Sequence, residues 1–286
     1  MGRRSASPHT VARDVSDNNR DRKRSAREAL QEQRAKEQKQ AKRKRTTIVA
    51  GAVVGVLVVG ALIGVVVSDN SGGGGGTDSA GAVSAPKGAI GTDKLVIPVG
   101  AGNAPSALTI YEDFRCPACD SFEKSFTPTI HDLENSGQMR TEYHLVTLID
   151  GNLGGSGSLN AANAAGCAQD AGEFRAYHDV LYANQPEEQD DAFAKKSTLL
   201  QLAGKVSGLK TPAFTACVNN GTHNSWVKKS NGAFNTSGFS STPTILLNGK
   251  NIFGSQAAPL TPASLRQMVA QANKGKQPGK VTATPS

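Results

Sequence analysis

The segment from Leu108 to Phe122 constrains the fold more than any other part of the chain. An apolar run with β-branched and aromatic residues ends at Cys116, and a helical period of apolar residues begins at Cys119. A Cys-x-x-Cys dithiol therefore lies where a strand gives way to a helix. We expect Cys116 in the first helical turn, where unpaired N–H groups and the helix dipole favour a thiolate. Such a pair can switch between a dithiol and a disulfide, which differ by two electrons, although half a zinc site or a structural pair has the same spacing.

The positive charge of the chain is confined to its N-terminal tail. Residues 1–45 contain 15 Lys and Arg against 6 Asp and Glu, a net charge of +9, and the other 241 residues contain 17 against 18, a net charge of −1. A basic tail is compatible with nucleic-acid binding or with a solvated, disordered arm. The apolar segment that adjoins it argues against the first, so we predict a disordered cytoplasmic tail and no nucleic-acid partner.

The apolar segment spans residues 48–67, which are twenty consecutive Val, Ala, Gly, Leu or Ile residues. Because this length is enough for one helix to cross the hydrocarbon core, we predict a transmembrane helix over residues 46–68. The basic block at residues 42–45 places the N-terminus in the cytoplasm by the positive-inside bias. A cleaved signal peptide is the alternative, but a 45-residue leader is long and no small-x-small site follows directly. The sequence thus predicts a single-pass protein of the cell membrane with an extracytoplasmic C-terminal domain.

One folded domain is expected over residues 93–274, a length of roughly 180 residues that suits a single domain. It is preceded by a Gly-, Ser- and Ala-rich stretch at residues 69–92, which is typical of a flexible linker. Residues 275–286 are predicted to be a disordered C-terminus. All four cysteines lie in the domain, and an even number in an exported segment favours disulfides over reduced thiols.

The apolar patterns of this domain follow an α/β order. They predict a strand pair, a helix, a third strand, an all-helical stretch over about residues 155–236, a β-hairpin and a last helix. The first long helix, from about Pro117, should bend or pause near Pro128, which has no N–H to donate. Strands are predicted at residues 95–99, 107–112, 140–149, 244–247 and 251–253, with a turn at Asn248-Gly249 between the last two.

Several motifs occur in a fixed order along the domain. They are Asp113-x-x-Cys116-Pro-x-Cys119 after a strand, an Ala-rich helix with Cys167, the run Phe174-x-x-Tyr177-His178, and Thr242-Pro243-Thr before a strand and Asn248-Gly249. In this order they resemble a DsbA-like thioredoxin-fold protein, and more narrowly the membrane-anchored thiol–disulfide oxidoreductases of actinobacteria. The resemblance covers about residues 93–273. It implies an α/β thioredoxin fold with an inserted all-helical domain, and no cofactor beyond the cysteines.

The resemblance also implies roles for individual residues. Thr242-Pro243 would be a cis-proline loop that faces the dithiol and binds the substrate. Cys116 would be the exposed nucleophile and Cys119 the resolving thiol. With these two paired, Cys167 and Cys217 remain, each on a predicted helix, and we predict a structural disulfide between them, with two buried free thiols as the alternative.

Two departures from the family pattern leave the chemistry open. The dipeptide between the first two cysteines is Pro-Ala, whereas strongly oxidising members resemble Cys-Pro-His-Cys. One thiolate-stabilising interaction is therefore missing, and the direction of electron flow stays open. Some members place an acid six residues before the first cysteine, where this chain has Ile110. Glu112 and Asp113 are then candidates for proton transfer with Cys119, with surface or loop carboxylates as the alternative.

Together these patterns predict an extracytoplasmic thiol–disulfide oxidoreductase that exchanges disulfides with exported proteins. By resemblance, a membrane quinone-linked enzyme would reoxidise its dithiol. A redox sensor or protein-binding module without turnover is the competing interpretation, and the intact cysteine pair argues against it. None of the five histidines has metal-ligand spacing with the cysteines, so no metal is expected, and His178 is expected to pack within the helical domain.

Overall fold

The structure is a computed structural model that describes residues 83–254 and 259–281. The predicted tail and transmembrane helix, most of the linker and the last five residues lie outside this range, so those predictions stay predictions. Within the range that the structure does describe, no helix combines the length and the apolar character needed to span a bilayer.

A five-stranded mixed sheet lies at the centre of the domain. Its strands are β1 (Ile97–Val99), β2 (Ser106–Glu112), β3 (Met139–Leu145), β4 (Thr244–Leu247) and β5 (Lys250–Asn251), in the spatial order β1-β3-β2-β4-β5. β2 and β3 are parallel, and the other neighbours are antiparallel. In β2 and β3 every second residue is fully buried, which is the period of a strand with one face in the core.

Helices cover the sheet and fill the segment between β3 and β4. They are α1 (Pro117–Asn135), α2 (Leu148–Leu153), α3 (Gly157–Ala171), α4 (Phe174–Ala183), α5 (Lys196–Ala203), α6 (Pro212–Asn220), α7 (Asn224–Thr236) and α8 (Pro262–Ala272). α1 and α8 pack against each other beside the sheet, and α2 to α7 form the inserted helical region. The predicted α/β architecture with a helical insertion is confirmed.

Some predicted elements differ from the structure. α1 does not pause at Pro128 but continues through it to Asn135. Pro128 and Lys124, whose carbonyl loses its helical partner there, both lie on the exposed face, where water can replace the missing N–H. β3 ends at Leu145, whereas the apolar run was assigned to a strand as far as Ile149. A short apolar run does not distinguish a strand from a buried helix, and the N–H of Ile149 donates to Asp113 at the start of α2.

The end of the sheet contains the predicted hairpin. Asn248 has φ 50° and Gly249 has φ 81°, the positive values that a two-residue turn of this kind requires. The strand that follows is shorter than predicted and stops at Asn251. The turn sets the register of β4 with β5, and the antiparallel pairing of β4 with β2 places the start of β4 next to the end of β2.

Candidate active site

The dithiol lies at the N-terminal end of α1, directly after the loop that leaves β2. Cys116 is the N-cap residue, one position before the predicted first turn, and Pro117 occupies the first helical position. Proline fits there because the N–H that it lacks would have no helical partner. The N–H of Cys116 donates to the carbonyl of Asp113 over 2.9 Å, which fixes the loop. Both thiols are buried, with residue exposures of 6% for Cys116 and 1% for Cys119, so the prediction that Cys116 is exposed was wrong.

The two thiols have opposite shifts in pKa. A hydrogen bond from Cys119 lowers the pKa of Cys116 to about 6, and the backbone N–H groups of Ala118 and Cys119 act in the same direction. Burial raises the pKa of Cys119 well above its ordinary value. At neutral pH Cys116 is therefore mainly a thiolate, the form that attacks disulfides, while Cys119 keeps its proton.

The loop before β4 lies against the dithiol. The peptide bond between Thr242 and Pro243 is cis, and the carbonyl oxygen of Thr242 lies 3.4 Å from Sγ of Cys116. The hydroxyl of Thr244 donates to the carbonyl of Ser241 over 2.8 Å, which closes the loop on itself. The structure thus brings the dithiol and the predicted substrate-binding residues together, although 126 residues separate them in sequence.

Glu112 and Asp113 are buried, with exposures of 1% and 0%, so neither is a surface carboxylate, but Asp113 lies in the loop after β2, as the alternative allowed. Both carboxylate oxygens of Asp113 accept backbone hydrogen bonds of 2.8 Å, one from the N–H of Arg115 and one from the N–H of Ile149. Burial raises the pKa of Asp113 to about 6. Because both of its oxygens are bonded to backbone, Asp113 shapes the loop that carries Cys116.

Glu112 faces a different partner. Its Oε1 lies 2.9 Å from Nε2 of His178, which is 1% exposed. His178 packs against Phe174 and Tyr182 within the helical region, as expected, and it also reaches from α4 to the end of β2. Burial is the main cause of the raised pKa of Cys119, and the negative charge of Glu112 adds to it. Of the two candidate carboxylates, Glu112 is the one that acts electrostatically on the resolving thiol.

Two further residues hold the dithiol loop, and both were missed in the sequence. Arg115 is 2% exposed, and its guanidinium donates to Asp150 over 2.7 Å and to the carbonyl of Gly154 over 2.9 Å. Gln185 donates from Nε2 to the carbonyls of Phe114 (2.9 Å) and Cys116 (3.1 Å). The position of Arg115 directly before the first cysteine was a sequence signal that could have identified it. No sequence rule relates Gln185 to a residue 69 positions earlier.

The other two cysteines lie in the helical insertion. Cys167 on α3 and Cys217 on α6 are joined by a disulfide with an S–S distance of 2.04 Å, 50 residues apart in sequence. The structure therefore shows the predicted pairing and not two free thiols. This bond ties α3 and α6 of the insertion together.

Comparison with known proteins agrees with this geometry. The family model described as Thioredoxin matches residues 92–271, so the chain belongs to the thioredoxin family. Disulfide bond formation protein D of Bacillus subtilis is 25% identical over 157 residues, which cover 54% of this chain and 68% of that protein. The serine/threonine-protein kinase PknE of Mycobacterium tuberculosis is 25% identical over 154 residues, 51% of this chain but only 27% of the kinase.

Solved structures show which class of thioredoxin-family protein this chain resembles. Reduced DsbG from Mycobacterium tuberculosis is 27% identical with a TM-score of 0.53, covering 62% of this chain and 86% of that one. Oxidised DsbA from the same organism has the same identity, TM-score and coverage of this chain, and 92% of its own length is covered. BdbD of Bacillus subtilis, at 22% identity and TM-score 0.53 over 68% of this chain and 98% of that one, shares the fold. The chain is a DsbA-like enzyme of the thiol–disulfide oxidoreductase class.

Proposed function

We propose that this enzyme acts outside the cytoplasm and exchanges disulfides with exported proteins through the dithiol of Cys116 and Cys119. The observation that supports this best is the contrast between the two thiols at the start of α1. Cys116 has its pKa lowered to about 6 and faces the Thr242 loop, and Cys119 is buried with its pKa raised. This is the division of labour that an attacking and a resolving thiol require.

In the oxidising direction, the reaction starts from a disulfide between Cys116 and Cys119. A substrate thiolate attacks Sγ of Cys116, a substrate–Cys116 disulfide forms, and Cys119 leaves with the electron pair and takes up a proton. A second substrate thiolate then attacks the substrate sulfur of this mixed disulfide. The substrate disulfide forms, and Cys116 leaves as a thiolate. Two substrate thiols are thereby oxidised, and the enzyme disulfide is reduced by two electrons.

The environment of Cys116 favours this direction. A low pKa stabilises the thiolate of the reduced enzyme and makes Cys116 a good leaving group in the second step. The Pro-Ala dipeptide lacks a histidine, but the Cys119 thiol and the backbone N–H groups of the helix start supply the stabilisation. Glu112, whose charge reaches Cys119, is our candidate for moving the proton of the resolving thiol.

Substrate binding and reoxidation complete the proposal. An extended substrate segment would lie along Thr242 and Pro243, because the Thr242 backbone is beside the reactive sulfur. Anchoring by the predicted helix at residues 46–68 would hold the domain at the outer surface of the membrane, next to a quinone-linked enzyme that reoxidises the dithiol. Protease added to intact spheroplasts should digest the C-terminal domain and spare the tail. Protection of the domain would contradict this topology.

The exchange reaction is tested by trapping. Cys119→Ser in the full chain leaves the attacking thiol without its resolving partner, so mixed disulfides with exported proteins should accumulate and disappear on reduction. Cys116→Ser is the matched control and should trap few or none, because Cys119 is buried and protonated. If Cys119→Ser traps no more protein than Cys116→Ser, the proposed function is wrong.

A further inference from the structure

Behind the dithiol, three side chains with metal-ligating atoms converge from three elements. They are Glu112 at the end of β2, Glu123 on α1 and His178 on α4, with residue exposures of 1%, 3% and 1%. One ligand atom from each lies within 4.8 Å of the other two. In the described part of the chain the only other group of this kind is Cys167, Cys217 and His223, whose two sulfurs are joined in a disulfide.

Several oxygen atoms around this cluster have no partner. No hydrogen bond from the residues that the structure describes reaches Oε2 of Glu112, Oε1 of Glu123 or the hydroxyl of Tyr182. Buried polar atoms nearly always have a partner, and leaving one without costs on the order of 1–3 kcal/mol. Glu123 and Tyr182, which carry two of these oxygens, line the same cavity, so a group bound there would find polar atoms that the protein leaves free.

A cavity gives access to the cluster. It has a volume of about 240 Å³ and is lined by Glu123, His178 and Tyr182, with Lys124 and Pro128 at its rim. Lys124 and Pro128 are both exposed, so the cavity leads from the surface of α1 inwards. An ion could enter here without passing the dithiol.

Carboxylates are concentrated around the cavity, and a bound cation would balance their charge when they are ionised. Buried carboxylates are costly unless a positive charge balances them. His178 can balance one carboxylate of the pair, and Asp179 adds another, with its Oδ1 3.5 Å from Nδ1 of His178. Lys124 at the rim bonds to Asp120 over 2.8 Å. A divalent ion held by two carboxylates and a neutral imidazole would make the cluster neutral.

We propose that Glu112, Glu123 and His178 bind a divalent first-row transition-metal ion, with Zn²⁺ as the main candidate. One imidazole nitrogen with two carboxylate oxygens suits such ions, whereas Ca²⁺ and Mg²⁺ prefer oxygen ligands alone. Glu112 Oε1 and His178 Nε2 are joined by a hydrogen bond of 2.9 Å, and they would have to separate by about 0.5 Å to bind one tetrahedral ion with bonds of roughly 2.1 Å. The ion would join β2 and α1 of the sheet-containing core to α4 of the insertion, behind the buried thiol.

The test uses the full chain in detergent, freed of metal with a chelator, with Cys116 and Cys119 oxidised so that their sulfurs cannot bind the ion. Zn²⁺ and Co²⁺ are titrated separately by calorimetry, and Co²⁺ binding is also followed by its visible absorption. We expect one ion per chain and a thermal midpoint that rises with Zn²⁺ concentration. Glu123→Gln and His178→Gln should each weaken binding by on the order of 100-fold.

Two matched controls separate ion binding from general damage. Glu134→Gln changes another buried glutamate of α1, which binds the hydroxyl of Thr141 instead. His223→Gln changes another buried histidine, which pairs with Asp170 over 2.9 Å. Both controls should bind Zn²⁺ as the parent does. The proposal is overturned if the oxidised parent binds neither ion up to about 1 mM, or if the cluster and control variants bind alike. Because the dithiol is oxidised throughout, neither outcome bears on the trapping experiment.

Discussion

The two cysteine pairs of this protein have the same chemistry in different surroundings. Cys116 and Cys119 begin a single helix, separated by two residues, whereas Cys167 and Cys217 lie on different helices, 50 residues apart. The first pair meets the loop at Thr242, and Cys116 is stabilised as a thiolate. The second pair lies inside a helical bundle, with Cys167 in the middle of the Ala-rich helix α3.

The difference shows how position assigns a role to a cysteine. A helix start supplies unpaired N–H groups that stabilise a thiolate, and the interior of a helix does not. The Cys167–Cys217 bond should stabilise the fold more than the Cys116–Cys119 bond. A disulfide that closes a long loop constrains the unfolded chain far more than one that closes a two-residue gap. The first bond can therefore open and close with little effect on the fold, and the second mainly stabilises it.

Exchange activity should show the largest effect. Cys116→Ser should lower the rate of disulfide exchange with a reduced test peptide by on the order of 10³-fold or more, because the enzyme disulfide that the peptide thiolate attacks can no longer form. The double variant Cys167→Ala with Cys217→Ala should keep most of the activity at a temperature where it remains folded. Equal loss of activity in both variants would contradict the division of roles between the pairs.

For the free energy of unfolding, the Cys167–Cys217 pair should matter more than the Cys116–Cys119 pair. Removing the Cys167–Cys217 bond should lower the free energy of unfolding by about 4 kcal/mol, the chain-entropy value for a loop of this length and an upper figure. Reducing only the dithiol should change it far less. Both losses of unfolding free energy can be measured by denaturant titration. The titration compares the oxidised parent, the double alanine variant and a Cys116→Ser, Cys119→Ser control. A drop in the control as large as that in the alanine variant would show that the first pair is structural too.

A smaller effect is expected at Gln185, which holds the dithiol loop from the helical insertion. Gln185→Ala removes two hydrogen bonds to the carbonyls of Phe114 and Cys116. Exchange with the test peptide should slow several-fold, and stability should fall by about 1–2 kcal/mol. Gln169→Ala, which removes a similar bond to the carbonyl of Lys87, is the control and should leave the exchange rate unchanged. A rate unchanged in Gln185→Ala would remove this residue from the positioning of Cys116.

The sequence could predict features that depend on neighbouring residues better than features that depend on residues far apart in the chain. The junction at Cys116 is local, because the change from strand to helix period and the proline at the helix start are adjacent in sequence. The burial of Glu112 could not be predicted in this way, since a carboxylate at the end of a strand normally faces solvent. Its partner His178 comes from an insertion 66 residues later.

The same reason explains the elements that were predicted wrongly and the cluster that was missed. Pro128 is tolerated because the opposite face of α1, with Phe126 and Ile130, is buried in the core, and a local rule does not include that packing. The spacing of histidines and cysteines gives no sign of the cluster, because Glu123 and His178 share a cavity only after α1 and α4 have packed.

The central claim is that the start of α1 makes Cys116 a thiolate at neutral pH. It is tested most directly by alkylation of the reduced parent protein across a pH series, with each cysteine identified by peptide mass spectrometry. Because the pKa of Cys116 is lowered, its reactivity should reach half its maximum near pH 6, and Cys119 should stay unreactive. The same shift predicts that the reduced fold gains its full thiolate stabilisation above about pH 8.5, the value for an unfolded thiol, and loses it as the pH falls through about 6. A half-maximum near 8.5 for Cys116 would contradict the account.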